Sequence, residues 1–188
     1  SFNYADDNWK MKIIKRGYSA WLHQSFEWIN QGFTSFDDYL QSFTKNQRRN
    51  IKREREQVKS QHVSVKCYTG EAIPDTFFPI LYDYYEKTND QFGPWGAKYL
   101  NQEFFKALNP GFRDRLLFIA GFDKADADRP MSMSLLLTKG DHLIGRYWGS
   151  SRWIDSLHFD ACYYSPIEWA INNGGKQFDP GMGSPHKL

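Results

Sequence analysis

The sequence predicts an α+β domain in which a mostly antiparallel sheet is covered by helices. Three observations carry this. Helix-period stretches dominate up to residue 108, strand-like segments separated by polar turns fill residues 115–150, and a helix followed by a short strand closes the chain. Neighbouring strands joined by short turns pair antiparallel, and the amphipathic helices must then cover the faces of the sheet.

The elements follow in order. A short helix near 7–16 and an extended piece near 20–29 are expected in an aromatic lead-in, residues 1–33, which precedes one domain over 34–188. Phe36 to Ser60 reads as a long amphipathic helix capped by Ser35, with Asp37 and Asp38 at its positive end and Phe36, Leu40, Phe43, Gln47, Ile51 and Val58 on one face. Val63 to Tyr68 alternates with period two, as a strand does. A helix from Pro74 to Asn89 and a shorter one, capped by Asn101 and running to Leu108, come next. Arg115 to Phe122 is an interior strand, 123–130 a turn, and Met131–Thr138 with His142–Ser150 a hairpin around Gly140. The last helix starts either near Phe159 or at Pro166, where Ser165 to Glu168 has the form of a capping box. Gly174 and Gly175 end it, and Lys176–Asp179 is a final strand.

A chain of 188 residues suits one domain with a substantial core, and 40% hydrophobic with 24% charged residues excludes disorder. The formal net charge of +2 lacks the overall basicity of a nucleic-acid binder, so any basic function must be local. Cys67 and Cys162 are far apart, which fits reduced thiols in a cytoplasmic protein; Cys162 is either a small buried residue or a nucleophile. No apolar run approaches the roughly 20 residues that a membrane-spanning helix needs. A start at Ser1 and a stop just after a glycine-rich turn lead us to expect a piece of a longer protein.

Chemistry is expected in two places. Thr44 to Lys59 carries Lys45, Arg48, Arg49, Lys52, Arg53, Arg55 and Lys59 against Glu54 and Glu56. This is either a solvated face, relieved by a Lys52–Glu56 pair, or a phosphate clamp in which Arg48, Arg49, Lys52 and Arg53 hold an anionic ligand. The second place is His142 to Lys187, where residues that are costly to bury are woven among aromatics and glycines. His158 and Asp160 share a face if that segment is extended, and could then act as acid and base; in a helix they diverge by about 200 degrees. Tyr164 and Glu168 would meet on a continuous helix. Arg146 shares a strand face with Trp148, Tyr147 taking the other, and either anchors an anion or pairs with Asp160, Glu168 or Asp179. Asp179, His186 and Lys187 lie in or beside flexible glycine-rich backbone whose N–H groups can hold an oxyanion or phosphate. His23, His62, His142, His158 and His186 lack metal-ligand spacing, and neither a phosphate-binding P-loop, GxGxxG nor GxSxG occurs.

Four ordered motifs, QRRNIKRERE (47–56), GRYWG (145–149), LHFDACYYSPIEWAI (157–171) and FDPGMGSPHK (178–187), together resemble the FemAB-like branch of the GNAT acyltransferase superfamily. The resemblance covers about residues 20–188. It implies an acyl-N-acyltransferase fold, commonly two such domains in one longer chain, of which this looks like most of the second. It also implies transfer of an acyl or aminoacyl group, from acyl-CoA or aminoacyl-tRNA, to an amine such as that of a peptidoglycan precursor. His158 and Asp160 are then the candidate catalytic residues, and Arg146, Tyr147, Tyr164, Glu168, Asp179, His186 and Lys187 the candidate substrate contacts. Two departures stand out: the acyl-CoA pyrophosphate loop is not legible in residues 150–156, and the chain stops where relatives continue. Two further readings remain, a non-catalytic module that uses this fold to recognise a cell-wall peptide or tRNA, and a plain RNA-binding domain built on the basic helix.

Overall fold

The computed structural model describes residues 6–20, 26–96 and 98–181. It is the expected α+β architecture: one six-stranded sheet in the order β1-β6-β5-β4-β3-β2, with helices on both faces. The elements are α1 (Asp7–Ile14), β1 (Trp28–Ile29), α2 (Phe36–Gln41), α3 (Lys45–Ser60), β2 (Val63–Thr69), α4 (Phe77–Asp90), α5 (Gln102–Ala107), β3 (Leu116–Asp123), β4 (Asp126–Lys139) and β5 (His142–Ser150). Then follow α6 (Leu157–Phe159), a π turn (Asp160–Tyr164), α7 (Ser165–Asn172) and β6 (Gln177–Asp179).

Strands β2 to β5 form an antiparallel meander, β6 joins β5 in parallel, and β1, drawn from the lead-in, pairs antiparallel with β6. Side-chain alternation along β3 builds two cores from one strand. Leu116, Phe118, Ala120 and Phe122 pack with Phe77, Phe78, Leu81 and Phe105 under α4 and α5. Leu117 and Ile119 point the other way, onto Leu40, Ala161, Ile167 and Ala170 of α2 and the closing helix.

The structure departs from the predicted elements at three places. The long first helix is two. Thr44 opens α3 with its own capping box, its N–H donating to Gln47 Oε1 at 3.1 Å while its hydroxyl accepts from the Gln47 N–H at 3.4 Å. Residues 123–130 contain only a tight turn, because the Asp123 carboxylate accepts from the Ala125 N–H at 2.9 Å and β4 already begins at Asp126. The register shifts around Phe122 and Asp123 accommodate Pro130, whose nitrogen cannot donate to a ladder.

The third departure concerns the closing helix, which runs from Leu157 and does not restart at Pro166. Pro166 cannot donate to the carbonyl four residues back. The helix absorbs this with a π turn, in which the Ser165 N–H reaches Asp160 O, five residues earlier. Ser165 therefore does not cap anything; its hydroxyl donates to Asp160 Oδ1 at 2.9 Å inside the protein.

Candidate functional site

Helix α3 lies against the closing helix, and the charges between them are matched pairwise. Arg55 is the centre of this seam. Its Nη2 donates to Glu168 Oε2 at 2.6 Å, its Nε lies 3.3 Å from Asp160 Oδ1, and its guanidinium stands 4.8 Å from the Phe36 ring centroid. One helical turn away, the Tyr164 hydroxyl donates to Glu54. Their spacing predicted that Tyr164 and Glu168 would meet on a continuous helix; instead each is drawn across to its own partner on α3.

Burial sets the chemistry of the seam. Asp160 is 5% exposed, and loss of hydration raises its carboxyl pKa against the opposing pull of Arg55 and Ser165. Burial also works against the Arg55 charge, but Asp160 and Glu168 outweigh it and hold the guanidinium firmly protonated. Tyr164 is pushed up by burial and by its bond to Glu54. Cys67, on β2, is open to solvent as a residue, yet its thiol is pushed up to about 11 by dehydration and the nearby carboxylates, which leaves little thiolate at neutral pH.

His158 and Asp160 are both helical and so diverge: the extended arrangement that would place them on one face does not form. Asp160 looks toward α3. The half-buried His158 ring sits edge-on to Trp148, Phe159 and Tyr163 at centroid distances of 5.5, 5.9 and 5.8 Å.

Arg146 is the extra residue of a bulge in β5: Leu135 faces Tyr147, Leu136 faces Gly145, and no partner falls to Arg146. The bulge shifts the alternation, so Tyr147 packs on Tyr85 and Phe105 under α4 whereas Trp148 turns to the opposite face beside His158. Arg146 itself is exposed, 5.7 Å from the Tyr147 ring, and the acids proposed as its partners are engaged elsewhere: Asp160 and Glu168 by Arg55, and Asp179 by the Gly181 N–H at 2.8 Å. His186 and Lys187 lie outside the described residues.

The outer face of α3 is basic. Lys52 pairs with Asp37 at 3.0 Å, not with Glu56, which lies 3.9 Å from Lys59. Arg48 donates to Gln41 at 2.6 Å. Lys45, Arg49 and Arg53 are exposed and have no ion pair among the described residues. They recur every fourth residue, forming a row with a rise of about 6 Å between successive charges.

The segment between β5 and α6 is bound to the inner side of the same helix. Gln57 Nε2 donates to the Asp155 carboxylate at 3.3 Å, and Gln61 both donates to Asp155 O and accepts from the Asp155 N–H. Ser156, in the left-handed conformation at φ 65°, opens α6. Asp155 and Ser156, which lead into α6, are thus tied to the end of α3, and no side chain caps the short helix that follows.

Arg55, Glu54, Ser165 and Cys67 were not among the site residues proposed from the sequence. For Arg55 the signal was present: it follows Ile51 by four residues and precedes Val58 by three, so it belongs beside the inward stripe of α3 and needs acid partners there.

The fold is similar to that of L-PGS from Bacillus licheniformis, with a TM-score of 0.51 at 10% sequence identity over 76% of this chain. The likeness speaks to fold alone, and the chain spans 42% of that protein's length. No curated protein matches the sequence. No helix among the described residues is long and apolar enough to cross a membrane. Over residues 1–188, however, the sequence matches the model of the FemAB-like family, described as peptidoglycan biosynthesis and recognition, and the chain belongs to that family.

Proposed function

We propose that this chain is an N-acyltransferase domain that moves an aminoacyl group from aminoacyl-tRNA to an amine of a peptidoglycan precursor. The observation that carries this reading is the row Lys45, Arg49, Arg53 on α3, in a chain whose whole length matches a peptidoglycan-associated family. Three cations spread over about 12 Å of helix suit an extended polyanion better than one compact pyrophosphate. Acyl-CoA is the weaker donor, because residues 150–156 carry no legible pyrophosphate-binding loop and are tied to α3 through Asp155.

The reaction requires a neutral amine to attack the ester carbonyl, the C–O bond to break, and the departing ribose hydroxyl to receive a proton. His158 is the candidate for taking the amine proton, with Trp148 and Tyr163 fixing its ring. Asp160, buried and held by Arg55 and Ser165, suits a positioning role beneath that helix better than proton transfer. Arg146, exposed at the β5 bulge, is the candidate for stabilising developing negative charge.

Transfer of a labelled aminoacyl group to precursor and binding of tRNA should be measured on the same protein. His158→Ala is expected to lower turnover by roughly 10²- to 10⁴-fold with tRNA affinity kept. An Arg49→Gln, Arg53→Gln double variant should weaken binding and flatten the dependence of log affinity on log salt by about two. Unchanged turnover in the histidine variant removes its role. Salt-insensitive binding removes the donor assignment. Tight binding with no turnover in any variant, wild type included, would make the chain a recognition module.

A further inference from the structure

On the face of the sheet opposite α3, a cleft of about 310 Å³ opens between α4, the β3–β4 turn and the segment after β5. Its walls are fixed. The Tyr84 hydroxyl donates to Pro130 O at 2.7 Å, the Ser151 hydroxyl donates to Met131 O at 3.1 Å, and Gly149 allows α4 to lie directly on β5. The volume is at the lower end of the range for small-ligand pockets.

The lining is charged and balanced. Asp83, Asp123 and Asp126 face Lys87, Arg129 and Arg152, so the site carries no net charge. Two of these residues close on each other tightly, Arg152 on Asp123 at 2.6 Å, while Arg129 and Asp83 stand 4.0 Å apart. Lys87 lies 5.8 Å from the Tyr84 ring centroid, and neither it nor Asp126 has an ion pair among the described residues. A site of this kind offers no net attraction to a simple anion or cation. It favours a molecule that carries both charges, each facing the opposite sign across the cleft.

We propose that this cleft binds a short zwitterionic peptide, with the ligand's carboxylate toward Lys87 and Arg129 and its ammonium toward Asp126 and Asp83. The inference does not rest on the acyltransferase reading, because the lining shares no residue with the basic face of α3 or with His158.

The test uses the full chain and three probes: the dipeptide Ala-Ala, N-acetyl-Ala-Ala, which lacks the ammonium, and Ala-Ala amide, which lacks the carboxylate. Calorimetry at low salt gives affinities, and amide chemical-shift mapping locates binding. Ala-Ala should bind with shifts at Tyr84, Lys87 and Asp126, and each blocked form should bind at least tenfold more weakly. The exposed substitutions Lys87→Met and Asp126→Asn should each reduce Ala-Ala affinity by a similar factor with melting temperature unchanged. Absence of binding, equal binding of the blocked forms, or shifts on the α3 face would overturn the proposal. Loss of transfer activity in the histidine variant leaves these measurements untouched, so the two readings fail separately.

Discussion

Arg55 is a half-buried cation whose removal leaves the buried Asp160 carboxyl without its charge partner. Breaking such a pair from one side costs more than the pair contributes, so Arg55→Met should destabilise the protein by roughly 3 kcal/mol. The pH dependence follows from the direction of the Asp160 shift. A carboxyl whose folded pKa lies above its unfolded value gives its full stability below that unfolded value and loses it as pH rises through the folded one. Removing Arg55 raises the folded value further. Urea unfolding of wild type and variant at pH 4.5 and pH 7 should show a gap that widens with pH; an equal gap at both would mean that Asp160 carries none of the loss. The individual residues were the least legible part of the sequence. His158 and Asp160 could be named but not oriented, because their relation depends on a helix start that the SPIE pattern disguised. The partners of Glu168 and Tyr164 come from α3, more than a hundred positions away, and no local period reports such a contact.

The elements themselves were far more readable, and the errors lie at helix boundaries and at the length of one turn. The strands from Leu116 to Ser150 were visible through alternation and turn residues, and Gly140 and Gly174, both at positive φ, marked a hairpin and a helix end where the sequence placed them. The first long helix was over-extended because its inward stripe continues from Phe36 through Val58 while the chain breaks at Ser42 and Phe43. The break was written in Thr44 and Gln47, a threonine with a glutamine three residues on, and a continuous apolar stripe outweighed it. This cap is therefore a test of the element. Thr44→Ala should cost about 1 kcal/mol in a thermal melt and reduce amide protection in the first turn of α3, with the last turn unchanged. A uniform loss of protection along α3 would mean that the cap does not set its start. At the other end of the chain, Pro166 was one of two starts left open, and the π turn lets a helix that begins near the other carry on through it.

The described residues form one sheet with a separate core on each face, and β5 is common to both. The strand sends Tyr147 up under α4 and Trp148 down beside His158, and the Thr88 hydroxyl of α4 donates to Trp148 O at 2.9 Å. The spacing of these layers depends on Gly149, where an added Cβ would lie 2.6 Å from both the Cβ and the carbonyl oxygen of Tyr84. Gly149→Ala should push α4 away from the sheet, destabilise the protein by about 1–3 kcal/mol as over-packing does, and widen the cleft above Tyr84. Unfolding midpoints that match wild type would show that the layers give more easily than this contact implies. The composition and order of elements made this layered plan legible; the bulge at Arg146, which decides what each face receives, was not, since one extra residue leaves no mark in an alternating pattern of aromatics. The pairing of Trp28 with Phe178 has a last consequence, in the order of assembly. The meander β2–β5 joins neighbours in the chain and can close as soon as each strand exists, but β1 stays without its partner until almost all of the described sequence has been made. During synthesis on the ribosome, β1 therefore emerges ahead of the other five strands and is seated after them, and for that interval Trp28 is a solvent-facing hydrophobe in need of cover.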